Sequence, residues 1–189
     1  MGIAIFFFHY GQYSNSSIYT DYAWDLIEDI YEKMHYKIPV NFENGLCGIG
    51  FGIEYLVQNK FMKGNTGDIL EDLNNLVMER DPRRIKDISF EKGLGGIYYY
   101  VFMHTNSPYC SSTVFDSIYL KELNQAVNTS EISSLVSKGY PCFDFSSPLT
   151  FPSYLLSDEF ELNKDTDITK YAFGIKNGLA GIGLKLIGI

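Results

Sequence analysis

Two glutamates occupy the same place in two copies of one short motif, Glu43 in FENGLCGIG and Glu91 in FEKGLGGI. Paired carboxylates are what acid/base chemistry at a glycosidic bond requires, one group protonated and the other ionised. Glu43 and Glu91 are therefore candidate catalytic residues. The repeat itself generates the pairing, however, and Glu also suits a helix N-terminus. The residues beside them form a second candidate set. Asn44, Gly45, Lys92, Gly93, Asn177 and Gly178 stand where helices are expected to begin. Unpaired N–H groups there favour anions and polar ligands. Capping and loop roles account for the same residue types.

Other reactive residues carry less. Cys47, Cys110, Cys142 and His104 offer zinc-ligand chemistry, but their spacings match no compact zinc motif, and they read as core or incidental residues. Asp25, Glu28 and Asp29, with Asp68, Glu71 and Asp72, faintly resemble the magnesium-binding clusters of prenyl-transferring enzymes. They fall on the wet faces of expected helices and read as solvated charge. His9 and His35 stand outside any motif. Asn15-Ser16-Ser17 and Asn128-Thr129-Ser130 match glycosylation sequons, with no accompanying sign of secretion.

The elements that must position these residues are repeated. Phe42–Ile53 (FENGLCGIGFGI), Phe90–Tyr100 (FEKGLGGIYYY) and Ile175–Ile187 (IKNGLAGIGLKLI) share G-L-x-G-I, and Met1–Phe6 reads as the same unit joined halfway. With Gly2, Gly48, Gly96 and Gly181 equivalent, the steps are 46, 48 and 85 residues, the last close to two units with a degenerate copy between. A second segment recurs out of phase: Asp25–Ile30 (DLIEDI), Asp68–Leu73 (DILEDL) and, more weakly, Asp116–Leu123.

The two kinds of segment differ in periodicity. Residues 18–34 place Ile18, Tyr22, Leu26, Ile30 and Met34 on one stripe. Residues 69–77 do likewise with Ile69, Leu70, Leu73, Leu76 and Val77, behind an N-cap at Asn65 or Thr66. Both read as amphipathic helices. The G-L-x-G-I segments are apolar or small on nearly every side, so as helices they must be buried. Residues 3–8 and 97–103 have strand-like composition, but their runs continue to helical length. Residues 139–154, with three Pro and five aromatics, read as irregular. Alternating buried and half-buried helices imply a double layer. The expectation is an all-α chain, a single domain over 1–189, arranged as an α/α toroid or an arc of one, with a solenoid of helix pairs as the near alternative.

Composition narrows the function classes. Hydrophobic residues at 46% against 20% charged describe a globular chain. Acidic residues outnumber basic ones 23 to 15, which disfavours a nucleic-acid backbone or an anionic membrane as partner. Three Cys without a CxxC pair form no disulfide framework and fit a reducing compartment. No apolar run approaches the roughly 20 residues of a membrane span. The opening MGIAIFFFHYG lacks the basic region of a signal peptide. A cytoplasmic protein is expected.

The phased copies, above all NGLCGIGFGIEYL (44–56) and KNGLAGIGLKL (176–186), resemble the lanthionine synthetase C-like (LanC-like) family, most of all its Bacteroidetes members. The likeness covers most of the chain and is weakest over 105–165. It implies an α/α toroid of six or seven helical hairpins, of which about four are present, as in a chain truncated on its N-terminal side. It implies an association with peptide modification. Cyclases of the family add a Cys thiol to a dehydrated Ser or Thr, using zinc held by two Cys and one His. Zinc keeps the thiolate deprotonated, and an open coordination position admits it. This chain departs from that pattern. Ahead of the leading glycines stand Glu43-Asn44, Glu91-Lys92 and Lys176-Asn177, none of them Cys or His, and Cys47 comes after its glycine. The expectation is therefore no metal, no cofactor and no zinc-dependent cyclisation. The remaining expectations are a peptide or protein partner and self-association through unfinished ring edges. Two alternatives are kept, a non-enzymatic helical-repeat binding module and a carbohydrate-active toroid.

Overall fold

The computed structural model describes residues 1–34, 37–111, 113–128, 172–176 and 178–189. His35, Cys142, Asn177 and the expected irregular segment 139–154 lie outside the described residues. The described residues are helical, and their only β feature is an isolated bridge between Ala172 and Gly178. The all-α expectation holds. Contacts divide the chain into two units, Met1–Lys33 with Thr150–Ile189, and Met34–Leu149.

In the first unit, α1 (Gly2–Ser14) and α2 (Ser17–Lys33) form a tight hairpin. Asn15 ends α1 in the left-handed conformation (φ 52°), and Ser16 N–H returns to Gly11 O at 3.0 Å. Gly11 lets the helices close, because a Cβ there would lie 2.5 Å from Thr20 Oγ1. The last helix of this unit, α8 (Leu179–Leu186), packs on α1. In α2 the buried residues are Ala23 and Ile27, while Ile18 and Tyr22 are exposed. This corrects the stripe expected from Ile18 to Met34. A helix turns about 100° per residue, so a strict four-residue spacing drifts about 40° per step and leaves the core face.

The second unit contains α3 (Leu46–Gln58), the short α4 (Thr66–Ile69), α5 (Glu71–Met78), a 3-10 turn at Pro82–Arg84, α6 (Leu94–Thr105) and α7 (Ser117–Asn128). The expected 69–77 helix is interrupted at Leu70 (φ −103°, ψ 11°). Its N-cap is Asn65, whose side chain accepts from Gly67 N–H at 3.1 Å. The glycine-led helices α3 and α6 are buried almost throughout and pack on each other.

The two units repeat one packing register. Gly50, five residues after Gly45 on α3, lies against the ring of Tyr100 on α6. Gly183, five after Gly178 on α8, lies against the ring of Phe6 on α1. Tyr100 stands four after Gly96, as Phe6 stands four after Gly2. A Cβ on Gly96 would lie 2.6 Å from Phe42 Cβ, and one on Gly2 would lie 2.7 Å from Ile175 Cγ1. Phe42 and Ile175 each precede their leading glycine by three residues. Tyr100 stacks on His104 at 5.6 Å, and Phe6 stacks on Tyr10 at 5.6 Å. Thus α1 sits against α8 as α6 sits against α3.

His9 is buried on α1, and burial pushes its pKa down from 6.5 to about 4. Between those two values the unfolded chain takes up a proton that the folded chain refuses. Stability present above pH 6.5 is therefore lost as pH falls toward 4. Thermal unfolding across this range should show a steeper acid decline for wild type than for His9→Gln. Parallel curves would contradict this account.

Candidate functional site

The residues ahead of α3, α6 and α8 share one construction. Gly45, Gly93 and Gly178 are N-caps with extended backbone (φ −131°, −115° and −131°), which any residue can adopt. Space, not φ, selects glycine here. A Cβ on Gly45 would collide with Pro39 O, on Gly93 with Asp87 O, and on Gly178 with Gly174 O. Three residues on, a Cβ on Gly48, Gly96 or Gly181 would collide with the carbonyl of Phe42, Phe90 or Ile175. The loop folds back under each helix so that its carbonyls cap the first amides. Leu46 N–H donates to Pro39 O (2.9 Å), Leu94 N–H to Asp87 O (2.8 Å) and Leu179 N–H to Ala172 O (2.8 Å). Cys47 and Ala180 N–H follow in register, to Val40 O and Phe173 O, each at 3.3 Å. The G-L-x-G-I motif is thus a self-capping loop–helix joint.

The candidate mouth residues fall as follows. Glu43, Asn44 and Lys92 are exposed and Glu91 is half-buried. The loops before α3 and α6 touch: Phe42 N–H and Glu43 N–H both donate to Glu91 O, at 3.1 and 2.9 Å. Lys92 Nζ lies 3.9 Å from Glu43 Oε2, an exposed ion pair of little energetic weight. Asn44 N–H donates to Asn41 Oδ1 at 3.2 Å. Lys176 is exposed in the loop before α8. The structure therefore brings Glu43, Glu91 and Lys92 together. The first amides of each helix are engaged by the loops.

The most developed polar cluster among the described residues lies elsewhere, in the core of the second unit. Of its residues the motifs single out only His104, as a zinc-ligand candidate read as core or incidental, and it is buried in the core. Glu54 on α3 is fully buried; its Oε1 accepts from His104 Nδ1 on α6 at 2.5 Å. Its Oε2 accepts from Ser107 Oγ at 2.8 Å and from Gln58 Nε2 at 3.2 Å. Asn74 on α5 lies with its Nδ2 3.0 Å from His104 Nε2, and its Oδ1 accepts from Tyr100 OH at 2.7 Å. A carboxylate can only accept, so His104 donates through Nδ1 and accepts from Asn74 through Nε2. Every donor in the chain Tyr100, Asn74, His104 points toward Glu54. Glu54, Tyr100 and His104 are 0% exposed, and Asn74 is 1% exposed. This is a sealed strut that ties α3, α5 and α6 together. Its signal was present in the sequence: Glu54 is the lone charge in an otherwise apolar run that has to be buried, and a buried charge requires partners.

Among the described residues, His104 and Cys47 are not arranged as cyclase-type zinc ligands. Both imidazole nitrogens of His104 are engaged, and Cys47 is fully buried with its thiol pushed well above its usual range by desolvation. Among the described residues, no three His, Cys, Asp or Glu side chains gather as a metal would require. A cleft of about 90 Å³ between α6 and α7 is lined by Tyr98, Phe102 and Leu120 among others, small beside the usual ligand pocket. Comparison with known protein families, with curated proteins and with solved structures finds no match.

Proposed function

We propose that the chain is a LanC-like α/α-toroid module, connected with peptide modification, that holds a peptide or protein segment rather than cyclising it. The observation that supports this reading most is the repeated register, in which α8 meets α1 as α3 meets α6. Within each unit, such pairing of glycine-led helices is what a toroid or an arc of one requires of neighbouring inner helices. The positions before Gly45, Gly93 and Gly178 carry Glu, Asn and Lys where the family's cyclases place thiolate and imidazole. Without those donors the motif offers no zinc ligands of the cyclase kind to hold a thiolate deprotonated for addition. Catalysis by the Glu54–His104 cluster is disfavoured by its burial away from any substrate.

The test is metal analysis of the purified protein after equilibration with zinc and exhaustive dialysis, together with incubation of the loaded sample with a dehydrated, Cys-containing peptide. The expected result is neither retained stoichiometric zinc nor thioether formation. One tightly held zinc per chain that is lost when Cys47 or Cys110 is replaced by Ser would overturn the reading.

A further inference from the structure

A band of aromatic rings crosses the α1–α2 hairpin. Phe7 stacks on Tyr19 (centroids 6.1 Å apart, 9° between planes) and meets Tyr22 edge-on at 4.9 Å. Tyr10 meets Tyr19 at 4.7 Å and continues to Tyr13 at 6.3 Å. The outer part of this band is open to solvent: Tyr13 is 68% exposed, Ile18 73% and Tyr22 47%. Single exposed apolar residues need no explanation, but a continuous aromatic patch does. The core face of α2 is Ala23 and Ile27, so the exposed Ile18 and Tyr22 do not serve the core.

The α2 side of the patch is acidic. On the helical wheel Ile18 and Tyr22 share a face with Asp21, Asp25 and Asp29, and Glu28 and Glu32 follow beside them. All five carboxylates are exposed. The only basic residue of α2 is Lys33, which pairs with Asp29 at 2.8 Å. The carboxylates of α2 therefore favour cations over anions beside Tyr22. An aromatic face is itself attractive to an ammonium or guanidinium group, and the stems of Lys and Arg cover apolar surface.

We propose that the exposed face of the α1–α2 hairpin docks a cationic, extended segment of a partner protein, its Lys or Arg side chains lying over Tyr13 and Tyr22 and their charges meeting Asp21 and Asp25. The proposal does not rest on the LanC-like reading, since it uses neither the glycine-led loops nor any catalytic group. The negative rim makes nucleic acid and anionic lipid unfavourable occupants.

The test is calorimetric titration of the full chain with a Lys-Pro repeat peptide, extended by its prolines, and with its Glu-for-Lys counterpart. Saturable binding of the Lys peptide is expected, weakening as salt is raised toward about 0.15 M, with no binding of the Glu peptide. The pair Tyr13→Ala and Tyr22→Ala should weaken binding about tenfold. The pair Asp21→Asn and Asp25→Asn should weaken it and flatten its salt dependence. The Asp pair should keep the wild-type melting temperature, because those side chains are exposed; the Tyr pair, which loses ring contacts to Phe7 and Tyr10, should melt a few degrees lower and keep the wild-type circular dichroism spectrum. Glu71→Gln with Asp72→Asn makes the same charge change on α5 and should leave binding unaltered. Absence of saturable binding, equal binding of the Glu peptide, or equal loss in the α5 control would overturn the proposal, the last by showing that net charge alone attracts the peptide.

Discussion

Replacing His104 with Leu is expected to destabilise the second unit by about 3 kcal/mol or more, the cost of leaving a buried carboxylate short of a hydrogen-bond donor. The imidazole supplies the 2.5 Å hydrogen bond to Glu54 Oε1 and the acceptor for Asn74. Without it, a carboxylate that is 0% exposed keeps only Ser107 and Gln58 as donors. Glu54→Gln should cost less, because an amide needs less solvation than a carboxylate while its oxygen still accepts. The double substitution Glu54→Leu with His104→Leu should recover part of the loss, since apolar replacement of both partners removes the desolvated charge. Urea unfolding of the four proteins measures all of this. A double substitution no more stable than His104→Leu alone would show that the cluster is not held together by the charge of Glu54.

The second large effect is expected at Gly48. In an ordinary helix, Ala is preferred to Gly by about 1 kcal/mol. Here the added Cβ would collide with the carbonyl of Phe42, whose own N–H is committed to Glu91 O at 3.1 Å. The loop would have to leave its capping position under α3, so Gly48→Ala should destabilise by roughly 3 kcal/mol or more. Gly96→Ala should behave alike, since it meets both Phe90 O and Phe42 Cβ. Gly174→Ala is the control: its Cβ would meet nothing within 4 Å, and a change under about 0.5 kcal/mol is expected. A Gly48→Ala protein as stable as wild type would refute the self-capping account of the motif. Thermal melts followed by circular dichroism suffice.

Both predictions bear on one question, which is where the chain stores its specificity. The motif glycines look like candidates for ligand approach, because glycine-rich loops before helices often admit anions. In this protein the approaching group is the chain's own carbonyl. The three loops end with Leu46, Leu94 and Leu179 donating at 2.8–2.9 Å to carbonyls seven residues back. The candidate mouth thus retains side chains as its chemistry, chiefly Glu43, Glu91 and Lys92, whose backbones and charges meet across two loops.

Much of this architecture is legible from residue spacing alone. A segment apolar on all sides and led by glycine has to be a buried element, and α3 and α6 are buried as that argument requires. The phased G-L-x-G-I copies predict equivalent joints, and the loops before α3, α6 and α8 have the same capping geometry because the same steric limits act on the same spacing. Glu54 was legible too, as a charge in a segment with no wet side, although the identity of its partner was not.

Other features were decided only when helices met. His104 and Asn74 are 50 and 20 residues from Glu54, and no local pattern relates them. The pairing of Gly183 with Phe6 joins positions at opposite ends of the sequence. The buried face of α2 shifted from the Ile18–Met34 stripe to Ala23 and Ile27 because a neighbouring helix selects the face it can approach. Periodicity reports how apolar groups are spaced along one helix; long-range contact determines which of them leave water, and which polar groups must find one another once they do.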